Sequence, residues 1–111
     1  MRQSQYAKLV TVTSSAAAAP LAPSLLVVGN EASTGRPSLS WLHLFPGTVR
    51  FFRIYRDTCC SVANRYDATA SNGLSWVDPK PGTVNHRYWV TAVGPSLSES
   101  GPSNAFDWLA P

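Results

Sequence analysis

The sequence predicts an all-β chain: a seven-stranded antiparallel β-sandwich over residues 24–111, preceded by an extended N-terminal arm over residues 1–23. Three observations carry this expectation. Runs of β-branched and aromatic residues alternate in period two, above all over residues 49–56 and 87–93, as strands with one buried face do. Pro, Gly, Asn and Asp separate the runs at regular spacing and supply the turns. The first 23 residues lack that pattern, with a polar start, one short strand-like run over residues 9–13, four alanines, and prolines at 20 and 23.

Four alanines between Ser15 and Pro20 are too few to nucleate a helix, so this stretch reads as an arm. Its apolar residues Leu9, Val10 and Val12 can add a strand to a neighbour's open sheet edge or pair with the domain's own sheet. The first strand is expected over residues 25–28, ended by Gly29-Asn30. The second covers residues 38–44, with Leu39 and Trp41 on one face. Phe45-Pro46-Gly47 turns into a third strand, residues 49–56, in which Phe52 and Ile54 point inward and Arg53 and Tyr55 outward.

Residues 57–64 form a loop carrying the cysteines, and residues 65–69 a short fourth strand. Asn72-Gly73 signals a turn because both residues tolerate positive φ. Trp76-Val77 is the fifth strand. In the sixth, His86, Tyr88, Val90 and Ala92 share one face, and Arg87, Trp89, Thr91 and Val93 the other. A proline at 102 makes the last strand, leading to Trp108, a broken edge.

At 111 residues the chain is long enough for one domain that buries about two thirds of its unfolded surface. Hydrophobic residues make up 44% and charged residues only 14%, so Ser, Thr, Asn and Gly must cover much of the surface. The net charge of +3 lacks the dense basic patch and reading motif that nucleic-acid binding requires. No stretch approaches the roughly 20 apolar residues of a membrane-spanning helix. The N-terminal apolar run is short and broken by Thr and Ser, unlike a secretory signal.

The two cysteines are neighbours, Cys59-Cys60. Adjacent residues fit normal disulfide geometry poorly, so two free thiols in a loop are expected; a vicinal disulfide and a bond to another chain are the alternatives. Neither they nor His43 and His86 stand at zinc-ligand spacing, and no metal or cofactor is expected.

Leu39-Ser40-Trp41, the run from Phe52 to Asp57, Trp76-Val77-Asp78 before a Pro-Gly turn, the run from Tyr88 to Val93, and Glu99-Ser100-Gly101-Pro102-Ser103 stand in an order that resembles a fibronectin type III domain, an immunoglobulin-like sandwich, of the bacterial and phage type. The resemblance covers roughly residues 24–108. It departs at His86, where the family places a tyrosine that pins a corner, and in the lengthened loop around Cys59-Cys60. A histidine can still hydrogen-bond the backbone there, so His86 reads as structural.

The resemblance implies a non-catalytic binding or spacing module, such as those of adhesion proteins, carbohydrate-active enzymes and phage virions. No nucleophile elbow or phosphate-cradling loop is present, and turn-capping explains most of the carboxylates, so an enzyme is not expected. Partner-binding candidates are Phe51, Tyr55 and Trp89 beside Arg53 and Arg87 on an outward sheet face, Trp108, and the arm's Leu9, Val10 and Val12.

With Met1, no clear export signal and one such domain behind an arm, the expectation is a non-enzymatic subunit of a large assembly. Its most concrete form is a phage virion accessory protein on the virion surface, a capsid decoration (cement) or tail protein. The arm would attach it to capsid subunits, to other assembly proteins or to its own copies, with no nucleic acid or membrane involved. The alternative is a secreted or cell-surface bacterial module that binds carbohydrate through Trp89, Tyr55 or Trp108.

Overall fold

The computed structural model describes residues 19–111. The strands are β1 (Ser24–Asn30), β2 (Pro37–Leu42), β3 (Phe51–Arg56), β4 (Arg65–Ala68), β5 (Ser75–Val77), β6 (His86–Val93) and β7 (Phe106–Trp108). They form two antiparallel sheets, ordered β1-β2-β5 and β4-β3-β6-β7. This is the seven-stranded sandwich expected. The arm residues Leu9, Val10 and Val12 lie outside the described residues.

The core sits where period two places it. Leu26, Leu39 and Trp41 of the smaller sheet face Phe52, Ile54, Tyr88, Val90 and Ala92 of the larger. Trp41 meets Phe52 edge to face, with ring centroids 5.3 Å apart.

The element ends differ from expectation for local reasons. Strand β2 stops at Leu42 because the His43 ring is held by its surroundings. Nε2 donates to the Leu21 carbonyl at 2.8 Å, and Nδ1 accepts from the Phe45 N–H at 3.0 Å. Strand β3 begins at Phe51 because Val49 closes a 3-10 turn onto Pro46. The chain does turn near Asn72-Gly73, but neither residue takes positive φ. Instead the Asn72 amide is anchored to the Pro46 carbonyl at 2.9 Å. Cys59 and Cys60 stand side by side in the loop between β3 and β4.

The broken last strand has a chemical substitute for its missing ladder. Over residues 98–103 the chain runs beside β6. Ser100 and Ser103 each donate a backbone N–H, to Ala92 and Val90. Their hydroxyls accept the N–H groups of those same two residues, at 2.9 and 3.0 Å. Side-chain oxygens thus stand where Gly101-Pro102 withholds ladder partners.

Residues 20–23 enter the sandwich at one end, the N-terminal pole. A Cβ on Gly94 would lie 3.3 Å from the Pro20 ring and 3.6 Å from the Thr48 carbonyl, so a side chain at position 94 would displace the incoming chain.

Candidate functional site

The outward face of the larger sheet carries most of the partner residues expected from sequence. Cross-strand pairing sets Phe51 opposite Val93, Arg53 opposite Thr91 and Tyr55 opposite Trp89. The face is not open. Glu99, bridged to Val93 at the edge, reaches across it. Its carboxylate accepts from Arg53 at 2.9 Å, the Tyr55 hydroxyl at 2.5 Å, the Thr91 hydroxyl at 2.7 Å and Arg65 at 3.4 Å. Burial raises the Glu99 carboxyl, but the hydrogen bonds from Tyr55, Thr91 and Arg53 outweigh it and hold the group below the usual carboxylate range.

Two candidates are therefore corrected. Tyr55 was expected outward and available; it points outward but is fully buried beneath the Glu99 network. Trp108 was expected as an exposed anchor; it is buried at the seam between the sheets, its indole donating to Asn30 at 2.8 Å and stacking on His86. Phe51 and Trp89 are half-buried, and the Arg53 guanidinium sits 5.4 Å from the Phe51 ring centroid. Arg87 remains exposed, but it grips Asp107 with two bonds, at 2.6 and 3.1 Å.

At the pole opposite the N-terminal one, His86 takes over from the missing tyrosine. Nδ1 faces Asp57 at 2.9 Å and Nε2 faces the Pro81 carbonyl at 2.5 Å. A cleft of about 310 Å³ opens beside it, lined by Asp57, Asn85, His86, Arg87, Asp107 and Leu109. Its polar groups are already matched, His86 to Asp57 and Arg87 to Asp107.

A second polar node escaped sequence reasoning. Asp78, which caps the Lys80 N–H as a turn residue would, is completely buried. It also accepts from the Tyr66 and Tyr88 hydroxyls at 2.6 Å each and from Arg56 at 3.0 Å. Burial raises this carboxyl too, and the donors from Tyr66, Tyr88, Lys80 and Arg56 overcome it, leaving it below its ordinary value. Burial, then the bond to Asp78, pushes the Tyr66 hydroxyl up to about 12. No local spacing links these residues; the signal in the sequence was only Asp78 standing before Pro79.

Each of the six carboxylates is thus held by a partner within the fold, including Glu31 by Thr34 and Asp67 by Trp76. Exposed apolar residues occur in several places, Val62, Val84 and Leu109 among them, and one group of them gathers at the N-terminal pole. Leu44 is 79% exposed and Phe45 60% exposed in the β2–β3 loop, and Leu21 and Leu97 stand exposed beside them. The four belong to one end: Leu21 is tied through His43 to Phe45, Phe45 to Thr48, and Thr48 packs near Gly94, which bonds Leu97. Leu97 takes a φ of 67°, a left-handed conformation unfavourable for leucine.

No family model and no curated protein matches the sequence. Solved structures do match the fold. A structure described as FN3tt mut superposes with a TM-score of 0.61 at 14% identity, covering 83% of this chain and 97% of the other. An Fn3-like protein from Clostridium thermocellum gives 0.61 at 20% identity, covering 85% and 96%. Pectate lyase Pel3 from Pectobacterium carotovorum gives 0.57 at 24% identity, covering 78% of this chain and 26% of the lyase. The sandwich built here from its own residues thus has the fibronectin type III-like fold.

Proposed function

We propose that this chain is a non-enzymatic docking module of a larger protein assembly, gripping its partner with the N-terminal pole and with the segment that precedes it. The observation that carries this reading is the apolar rim of Leu21, Leu44, Phe45 and Leu97, gathered at the pole where residues 20–23 enter the sandwich. Four large apolar side chains exposed together gain from being covered by a partner. An exposed leucine held in a left-handed conformation fits a residue kept for contact.

The most concrete form of the reading is an accessory protein on a phage virion, a capsid decoration or tail subunit, in which the arm's Leu9, Val10 and Val12 join the pole in attachment. The carbohydrate-binding alternative has lost two of its three platform aromatics to burial, Tyr55 beneath the Glu99 network and Trp108 at the seam between the sheets.

Sedimentation of the protein from its natural source tests the proposal. The chain should travel with a particle far larger than itself, and a Phe45→Asp variant should be released from that particle while keeping its own fold. A native chain that sediments alone, or a Phe45→Asp chain that remains bound, would overturn it.

A further inference from the structure

Cys59 and Cys60 are the two cysteines of this sequence, and neither enters the docking surface described above. The loop that carries them is fixed on both sides. Before it, the Asp57 N–H donates to the Arg87 carbonyl at 2.7 Å, and the Asp57 carboxylate accepts from the Arg87 N–H at 3.2 Å, which ties the end of β3 to β6. Asp57 turns the chain out of the strand with a φ of 71°. After it, residues 61–64 close a 3-10 turn. There the Asn64 N–H donates to the Ser61 carbonyl at 2.9 Å, and the Ser61 hydroxyl donates to the Asn64 side-chain oxygen at 2.8 Å. Thr58, Cys59 and Cys60 span the gap between these anchors. Cys60 is exposed and Cys59 half-buried, with the sulfur of one against the sulfur of the other.

From this we propose that Cys59-Cys60 is a redox modification site that exchanges two electrons with small disulfides. The exposed Cys60 reacts first. Its thiolate attacks one sulfur of a disulfide RSSR, the S–S bond breaks, and the departing RS⁻ takes up the proton that Cys60 gave up. The Cys59 thiolate then attacks the Cys60 sulfur of the mixed disulfide and expels the second RS⁻, which takes the Cys59 proton. Two S–H bonds of the chain are lost, one S–S bond forms, and the two electrons reduce RSSR to two RSH.

Adjacency decides the outcome of each step. A thiol on the next residue meets the mixed disulfide at high effective concentration, so adducts and cross-links to other chains are resolved. The bond so closed joins neighbouring residues, outside the spacing of ordinary disulfides, and such bonds are readily reduced. The pair therefore cycles and does not staple. The anchors confine the change, because Asp57 and the 3-10 turn lie outside the ring. The site stands at the pole opposite the apolar rim, and it does not depend on the docking reading given above.

Intact mass spectrometry of the full chain, first reduced and then treated with oxidised glutathione, tests it. The parent should lose the mass of two hydrogens, carry no glutathione, and regain the two hydrogens on reduction with dithiothreitol. Cys59→Ser should instead keep one glutathione on Cys60, because the resolving thiol is gone. Cys60→Ser, which should keep one glutathione on Cys59, gives the second reading if Cys59→Ser fails to fold. A parent chain that retains glutathione, forms disulfide-linked dimers or shows no change of mass overturns the proposal. So do single-cysteine variants that take up no glutathione.

Discussion

Asp78 shows how much one side chain can hold. Its two oxygens take two tyrosine hydroxyls, a guanidinium and a backbone N–H with no exposure to water. Replacing it by alanine leaves the buried Tyr88 hydroxyl unpaired and takes from Arg56 its buried counter-charge, and removing one partner of a buried charged pair costs about 3–5 kcal/mol. Tyr88→Phe removes one donor and leaves the carboxylate with its other partners, so a loss of about 1.5–3 kcal/mol is expected, as for a hydrogen bond to a charged group. Urea denaturation should rank the two in that order. Equal losses would mean that Tyr88, and not the carboxylate, organises the node. Glu99 plays the same part on the outer face, where it turned an apparent aromatic platform into a sealed surface.

At the scale of elements, side chains finish what the strands leave undone. The edge of β1 is met by Asn104, whose carboxamide accepts from the Leu26 N–H at 2.8 Å and donates to the Leu26 carbonyl at 3.0 Å. It acts as one residue of a missing strand and blunts an edge that could otherwise pair with another chain. Asn104→Ala should cost about 1–3 kcal/mol, since it strands a donor and an acceptor that are partly buried. Thermal melts should show the loss, with more aggregation at the transition; a melt unchanged from the parent would mean that water replaces the amide freely. Sequence patterning placed the strands well, because period two and turn residues are local signals. It erred where a strand end is set by a distant partner, as at His43 on Leu21 and Asn72 on Pro46.

For the whole molecule, the buried polar groups set a window of pH. The carboxyls of Asp78 and Glu99 are lowered from ordinary values of 3.8 and 4.5. The stability they supply is present above those values and is lost as pH falls through the lowered ones. Tyr66, raised from 10.0 to about 12, works in the other direction. Its contribution is complete below 10 and disappears as pH rises toward 12, because the unfolded chain ionises first. Tyr55 and Tyr88 are raised as well. The urea midpoint should therefore be lower at pH 3 than at pH 6, and lower at pH 11 than at pH 8. Tyr66→Phe should shrink the alkaline loss, and a midpoint that is level from pH 8 to pH 11 would contradict the burial of these hydroxyls.

By itself the sequence determined the two-sheet sandwich, the buried faces of β2, β3 and β6, and the broken final edge. These follow from alternation, turn chemistry and the order of short motifs, all carried by neighbouring residues. Only the tertiary structure decided which outward residues are available to a partner. Glu99 lies 44 residues from Tyr55, and Asn30 lies 78 residues from Trp108. Exposure depends on what the rest of the chain lays over a side chain, and no local pattern records that.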